Sequence, residues 1–261
     1  MTKKWEQERD KKLYSLIELS REIRESDEYR IYKDLLKIKT GFSICRLNFL
    51  NLKREIANYY FNVPNLFSVR TIERTRFQNR VTTSLYNFVT SSRSFLEYNF
   101  PKSHFLDTNI SCFMKELRNY IAHSEPLNLT SHVKHILTGP DERAESFSIE
   151  DFKNELEISI DNSRKKLSHK EKALNYIEAN QIKNKIQLKD LINEYFKSIA
   201  TIYNERLLIF IKVNENLFNS LLSRSEEILI GMKEINCTST IVPLNQLKIR
   251  YLKYLLYLAN K

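Results

Sequence analysis

Apolar residues recur every three or four positions along most of this chain, the period of helices that bury one face. From Trp5 to about Arg24 the positions Leu13, Leu16, Ile17, Leu19 and Ile23 keep that spacing within a dense field of charge. Further helices are expected over about Tyr29–Lys39 and Ile44–Phe61, closed by Pro64. Leu66–Asn99 reads as one long helix with two faces. At 100° per residue, Phe77, Val81, Leu85, Phe88, Phe95 and Leu96 share one arc, and Arg76, Arg80, Thr83, Asn87, Ser91 and Ser94 share another. After Pro101 a helix is expected from Asp107 or Thr108, both good N-caps, with the apolar stripe Ile110, Phe113, Met114, Leu117 and Ile121. Pro126 biases Glu125 out of helical geometry, so this helix should end near His123.

The pattern changes over Leu127–Phe152. Ser131–Leu137 and Glu145–Ile149 suit strands around Gly139-Pro140-Asp141, and a small β-hairpin is expected near 130–150. Helical spacing returns over about Lys170–Glu178 and Leu188–Ser223. Leu247–Leu258 is apolar nearly all round, as in helices buried in a core or a subunit contact. The expected fold is therefore all-α, an antiparallel helical bundle in a single domain over 1–261. Its parts are N-terminal helices (1–65), a helix pair (66–126), an excursion (127–165) and C-terminal helices (166–261).

Composition supports helices. Among 261 residues only three are Gly and five Pro, too few for a turn-rich β fold. No G-x-x-x-x-G-K-[ST] or G-x-G-x-x-G run exists, so those nucleotide-binding loops are excluded. The net charge of +10 favours polyanionic partners through counterion release, with RNA, DNA or anionic lipid all compatible. Cys45, Cys112 and Cys237 are odd in number and widely spaced, which argues against a disulfide framework and for a reducing, cytoplasmic setting. The first residues are charged and no apolar run reaches eighteen residues, so neither a secretory signal nor a membrane span is expected.

The sharpest chemical clue is Arg118-Asn119-Tyr120-Ile121-Ala122-His123, at the end of an amphipathic helix. Guanidinium binds phosphate oxygens through a planar fork and imidazole moves protons near neutral pH, so the pair suits phosphodiester cleavage. Spacing alone carries little weight. Seventeen Arg and five His predict about 0.3 accidental pairs at any one spacing. A second match, Arg164-x4-His169, does occur, in a lysine-rich stretch that reads as solvated. Context favours the first pair, because its helix is anchored by Leu117 and Ile121 and rigid groups catalyse better than loose ones. His132 and His135 have no accompanying Cys or Glu set, and no metal or other cofactor is expected.

Leu117–His123 resembles the R-x(4–6)-H signature of HEPN domains, including the polar residue directly after the arginine. The preceding helix, around Tyr86–Leu96, is similar to the long helix those domains pack against the motif helix. The resemblance covers about Phe67–Pro126. It implies a HEPN-like all-α bundle with extra N- and C-terminal helices, forming a homodimer that joins the Arg and His of both chains in one cleft. It further implies a metal-independent endoribonuclease of a toxin–antitoxin or anti-phage defence system, with an antitoxin or regulatory partner. In that chemistry the ribose 2′-OH attacks phosphorus, leaving a 2′,3′-cyclic phosphate and a 5′-OH. Arg118 and His123 would be catalytic, Asn119 and Asn87 would support the site, and Arg76, Arg80 and Arg93 would bind RNA. Arg93 lies at the edge of the core face and suits a buried salt bridge equally well. Two rival readings stand beside this one: an inactive HEPN-like helical module that binds RNA or a protein partner, and a structural protein that assembles through its apolar C-terminal helix.

Overall fold

A computed structural model describes residues 2–62, 71–123, 127, 129–134, 142–161, 168–182, 184–237 and 242–261. The sequence expectations at Pro64, Pro126, Gly139-Pro140-Asp141 and Arg164 lie outside the described residues. The protein is predominantly helical, with α1 (Thr2–Glu25), α2 (Asp27–Asn62), α3 (Thr71–Asn99), α4 (Asn109–His123), α5 (Glu150–Asp161), α6 (Ser168–Asn180), α7 (Leu188–Val213), α8 (Glu215–Glu234) and α9 (Gln246–Ala259). Strands β1 (Leu129–Lys134), β2 (Glu142–Ser148) and β3 (Lys185–Gln187) interrupt the helical order.

Two compact units are present, one made of Met1–Lys39 with Ile202–Lys261 and one of Thr40–Thr201. In the first, α1 packs on α8 and α8 on α9. Gly231 of α8 admits Leu16, whose Cδ2 lies 2.8 Å from where a Cβ would stand. Lys12 pairs with Glu234, and Glu28 accepts a hydrogen bond from the Ser220 hydroxyl at 3.1 Å. Helix α9 buries Ile249, Leu252, Leu255 and Leu256 but leaves Leu247, Tyr254 and Tyr257 exposed, so it has one covered face rather than the all-round burial its composition suggests.

The second unit contains the candidate site. Its centre is aromatic: Phe49 of α2 stacks on Phe196 of α7 at 4.1 Å, and Phe88 of α3 meets Phe49 at 5.5 Å and Tyr195 edge-on at 5.8 Å. Two sequence-derived helices, 29–39 and 44–61, prove to be the single helix α2. Gly41 does not break it. Instead, its missing Cβ makes room for the Phe95 ring, whose Cδ2 would lie 2.8 Å away. Conversely, the helix expected over Leu188–Ser223 is divided at Asn214, whose side-chain amide donates to the Phe210 carbonyl at 2.8 Å and ends α7.

The expected hairpin is present as β1 paired antiparallel with β2, from Leu129↔Phe147 to Lys134↔Glu142. The sequence pattern missed β3, which adds to β2 and completes a three-stranded sheet ordered β1-β2-β3. Phe147 faces Leu129 on one side and Ile186 on the other, and all three are buried, giving one apolar row across the sheet. The pattern also missed α5, whose buried Phe152 and Leu156 pack the helix beside α6. No described helix is long and apolar enough to cross a membrane.

Candidate functional site

Helix α4 starts where the sequence indicates. The Thr108 hydroxyl accepts from the Ser111 backbone N–H at 3.4 Å, a long N-cap bond. From there Ile110, Phe113, Met114 and Leu117 are buried, while Phe113 approaches Tyr176 of α6 at 4.9 Å and Phe152 of α5 at 5.7 Å. Arg93 fixes α4 to α3. Its guanidinium donates to the Ser111 carbonyl at 3.2 Å, to the Ser111 hydroxyl at 3.3 Å and to Glu97 Oε1 at 2.6 and 3.0 Å. Only 5% of Arg93 is exposed, so its cationic group is occupied inside the protein as a helix-to-helix clamp.

Arg118, Asn119 and His123 occupy the last two turns of this anchored helix. Arg118 and Asn119 are half-buried and His123 is exposed. The Arg118 Nη2 donates to Asn119 Oδ1 at 3.0 Å. Five residues of α-helix place Arg118 and His123 about 140° apart around the axis and roughly 7.5 Å apart along it. Asn119 lies between them in angle and one turn before His123, so its bond draws the guanidinium round toward the imidazole side. The charge of Arg118 also acts on Tyr195, a fully buried phenol whose hydroxyl has no hydrogen-bond partner among the described residues. Burial raises the Tyr195 pKa and outweighs the nearby Arg93 and Arg118 charges, so the group stays neutral.

The α3 candidates are placed differently. Hydrogen bonds from Arg93 to Ser111 and from Gln78 to the Leu129 carbonyl, the latter at 3.4 Å, run α3 antiparallel to α4 and put its N-terminal half beside the motif end. Arg76 is exposed there, and Asn87 is exposed just past the middle of α3. Arg80 is exposed too, 3.7 Å from Glu55 and stacked on Phe77 at 4.4 Å. Among the described residues no hydrogen bond or ion pair joins Arg76, Arg80 or Asn87 to Arg118, Asn119 or His123. Nor does any group of three or more His, Cys, Asp and Glu stand ready to hold a metal ion among them.

The sequence reading misjudged His169. Rather than lying in a solvated stretch, it begins α6 and is half-buried against α4, with Nε2 3.4 Å from Glu116 Oε1. Glu116 is 6% exposed, and that oxygen receives no hydrogen bond. The contact is thus electrostatic, without hydrogen-bond alignment. Burial lowers the His169 pKa, and Lys115 adds to the effect against the opposing pull of Glu116. A usable signal was present: His169, Ala173, Tyr176 and Ile177 share one face of α6, and the last three are buried. Beside this pair, Asn119, Tyr120, Ser159 and Lys170 line a cavity of about 40 Å³ among α4, α5 and α6.

Comparison with protein-family models, with curated proteins and with solved structures finds no match to this chain.

Proposed function

We propose that this protein is a metal-independent endoribonuclease whose site is completed by a second copy of the chain. The observation that carries this reading is the Arg118–Asn119–His123 arrangement at the end of a helix clamped by Arg93. One helix end supplies a single guanidinium and a single imidazole, whereas two helix ends facing each other supply two of each to one cleft. The net charge of +10 would draw RNA to that cleft. There the ribose 2′-OH attacks the adjacent phosphorus, His123 accepts its proton, and a second imidazole protonates the departing 5′-oxygen. Arg118 stabilises the charge that builds on the equatorial oxygens. The products are a 2′,3′-cyclic phosphate and a 5′-OH.

Purified protein in EDTA should cut single-stranded RNA, and Arg118→Ala and His123→Ala should each reduce cutting at least about 100-fold, the usual weight of one acid–base or electrostatic group. Mixing the two variants should restore part of the activity through hybrid dimers. Cutting that survives both substitutions refutes the proposal. A non-catalytic RNA-binding module is the second reading, favoured by the His123 ring, which no group among the described residues orients. Tight, salt-sensitive binding that leaves RNA intact and ignores His123→Ala would establish it.

A further inference from the structure

Helix α9 covers one face and leaves the other open. Ile249, Leu252, Leu255 and Leu256 are buried in the first unit, whereas Leu247, Arg250, Tyr254 and Tyr257 are exposed. Their spacing of three, four and three residues draws a single stripe about 15 Å long. Tyr254 and Tyr257 are 57% and 55% exposed, so both rings can be reached from solvent.

Charge selects the partner. The fourteen residues of α9 include Lys248, Arg250 and Lys253 and no Asp or Glu. Lys253 is paired with Glu226 at 2.7 Å and Asn260 donates to Glu215 at 2.8 Å, so these neighbouring acids meet the helix along one flank. On the other flank Lys39 of α2 lies 3.7 Å from the centre of the half-buried Tyr251 ring. The Lys261 ammonium lies 4.8 Å from the Tyr257 ring. Among the described residues no acidic side chain pairs with Arg250 or Lys261. The open face thus alternates cations with aromatic rings.

Three kinds of occupant differ in what they need. A second copy would set this basic stripe against itself, with no acid on either α9 to pair it. A membrane surface is met by inserting aliphatic side chains, but of those on α9 only Leu247 is exposed. Single-stranded nucleic acid needs rings on which bases stack and cations for the phosphates, and this face has both.

We infer that the open face of α9 binds single-stranded RNA, with Tyr254 and Tyr257 stacking bases and Arg250 and Lys261 contacting phosphates. Stacking tolerates any base, so the face holds a strand without selecting its sequence. The inference goes beyond the proposed ribonuclease reading: α9 belongs to the first unit and α4 to the second, and holding RNA requires no cutting.

The test uses the full-length protein in EDTA and a labelled 2′-O-methyl uridine oligomer. Its blocked 2′-oxygen cannot attack phosphorus, so fluorescence anisotropy reads binding without cutting. Replacing both tyrosines, Tyr254→Ala with Tyr257→Ala, should weaken binding at least about tenfold, the weight of lost base stacking. Tyr254→Phe with Tyr257→Phe keeps both ring faces and should stay within about twofold of wild type. Arg250→Gln should make the slope of log K against log salt shallower by about 0.7, the release expected for one phosphate contact on a single strand. These side chains are exposed, so all variants should unfold in urea as wild type does. Equal binding by wild type and the double Ala variant overturns the surface, and so does a loss in the Phe variant as large as in the Ala one. Double Ala protein that loses phosphatidylserine vesicles, or a dimer in light scattering, while oligomer binding is unchanged overturns it in favour of a membrane or a second copy. Cutting of unmodified RNA is scored separately. If RNA is cut but the double Ala variant binds as wild type, the surface fails and the ribonuclease reading stands; if binding depends on α9 and no RNA is cut, the surface stands and the ribonuclease reading fails.

Discussion

Arg93 offers the most quantitative check on how the candidate helix is held. Replacing it with Ala removes four hydrogen bonds from one guanidinium, two to Glu97 and two to Ser111. These are unequal. The Glu97 carboxylate is 52% exposed, so water and salt screen that pair and its contribution is held to about 1 kcal/mol. The Ser111 contacts lie in the interior, where a charge-assisted bond contributes about 2 kcal/mol. Loss of the buried aliphatic stem adds roughly 1 kcal/mol, provided the gap partly collapses. The expected destabilisation is therefore about 3–4 kcal/mol, or roughly 10 °C in Tm for a chain of this size.

Equilibrium unfolding in urea, followed by far-UV circular dichroism, measures this directly. Arg93→Met keeps the stem and should lose about 1 kcal/mol less than Arg93→Ala. Glu97→Gln, which relieves only the screened pair, should lose no more than about 1 kcal/mol. Lys at position 93 should recover little, because an ammonium cannot span Glu97 and Ser111 as a planar fork does. If Arg93→Ala unfolds within 1 kcal/mol of wild type, the clamp argument is wrong. If it leaves stability unchanged yet weakens RNA binding, Arg93 is a nucleic-acid contact rather than a structural one.

Other measurements probe independent parts of the molecule. His169 has a pKa lowered below 6.5, so the unfolded chain binds its proton more readily; that stability is present above about pH 6.5 and is lost as pH falls through the folded pKa. Unfolding free energy should fall on acidification through that window, and His169→Gln should flatten that part of the curve. Glu28 has a pKa lowered below 4.5, chiefly by a backbone hydrogen bond and then by Ser26, so its contribution should persist to lower pH and vanish only below about 4.5 in the same titration. Burial pushes the Cys45 thiol up to about 11 and raises that of Cys112 as well, so a thiol reagent at pH 8 should label Cys237 first and reach the other two only after denaturant is added. Gly41→Ala should destabilise by about 1 kcal/mol despite the better helix propensity of Ala, because the added methyl meets the stiff Phe95 ring; a gain in Tm would contradict the close approach of α2 and α3.

Periodicity in the sequence revealed most of the helices because each buries one face, and that face is written locally. It failed where the decisive partner is remote. Nothing within Gly41's neighbourhood announces Phe95, so the contact that carries α2 unbroken past this glycine could not be read locally. Strand β3 is three residues long and exists because Phe147 needs a second neighbour, which no local pattern encodes. Asn214 could have been read, since an Asn able to bond back to the Phe210 carbonyl is a plain end signal, but the apolar spacing on either side masked it.

The same distinction governs the candidate site. Arg118, Asn119 and His123 are adjacent in sequence, so their presence on one anchored helix was legible. Their angular separation was legible too, because five residues of helix fix it. The neighbours of that helix were not. The sequence pattern paired α4 with α3 alone, whereas α6 also packs on it, bringing His169 to Glu116 and Lys170 to the cavity beside Asn119. Glu116 gave no sign of this in the sequence, because with Lys115 beside it between Met114 and Leu117 it reads as part of a solvated face, and only the packing of α6 buries it. Glu116→Leu tests what the buried carboxylate does at the α4–α6 contact: a rise in the urea unfolding free energy marks it as a tolerated imperfection, and a fall shows that the Glu116–His169 pair holds α6 on α4.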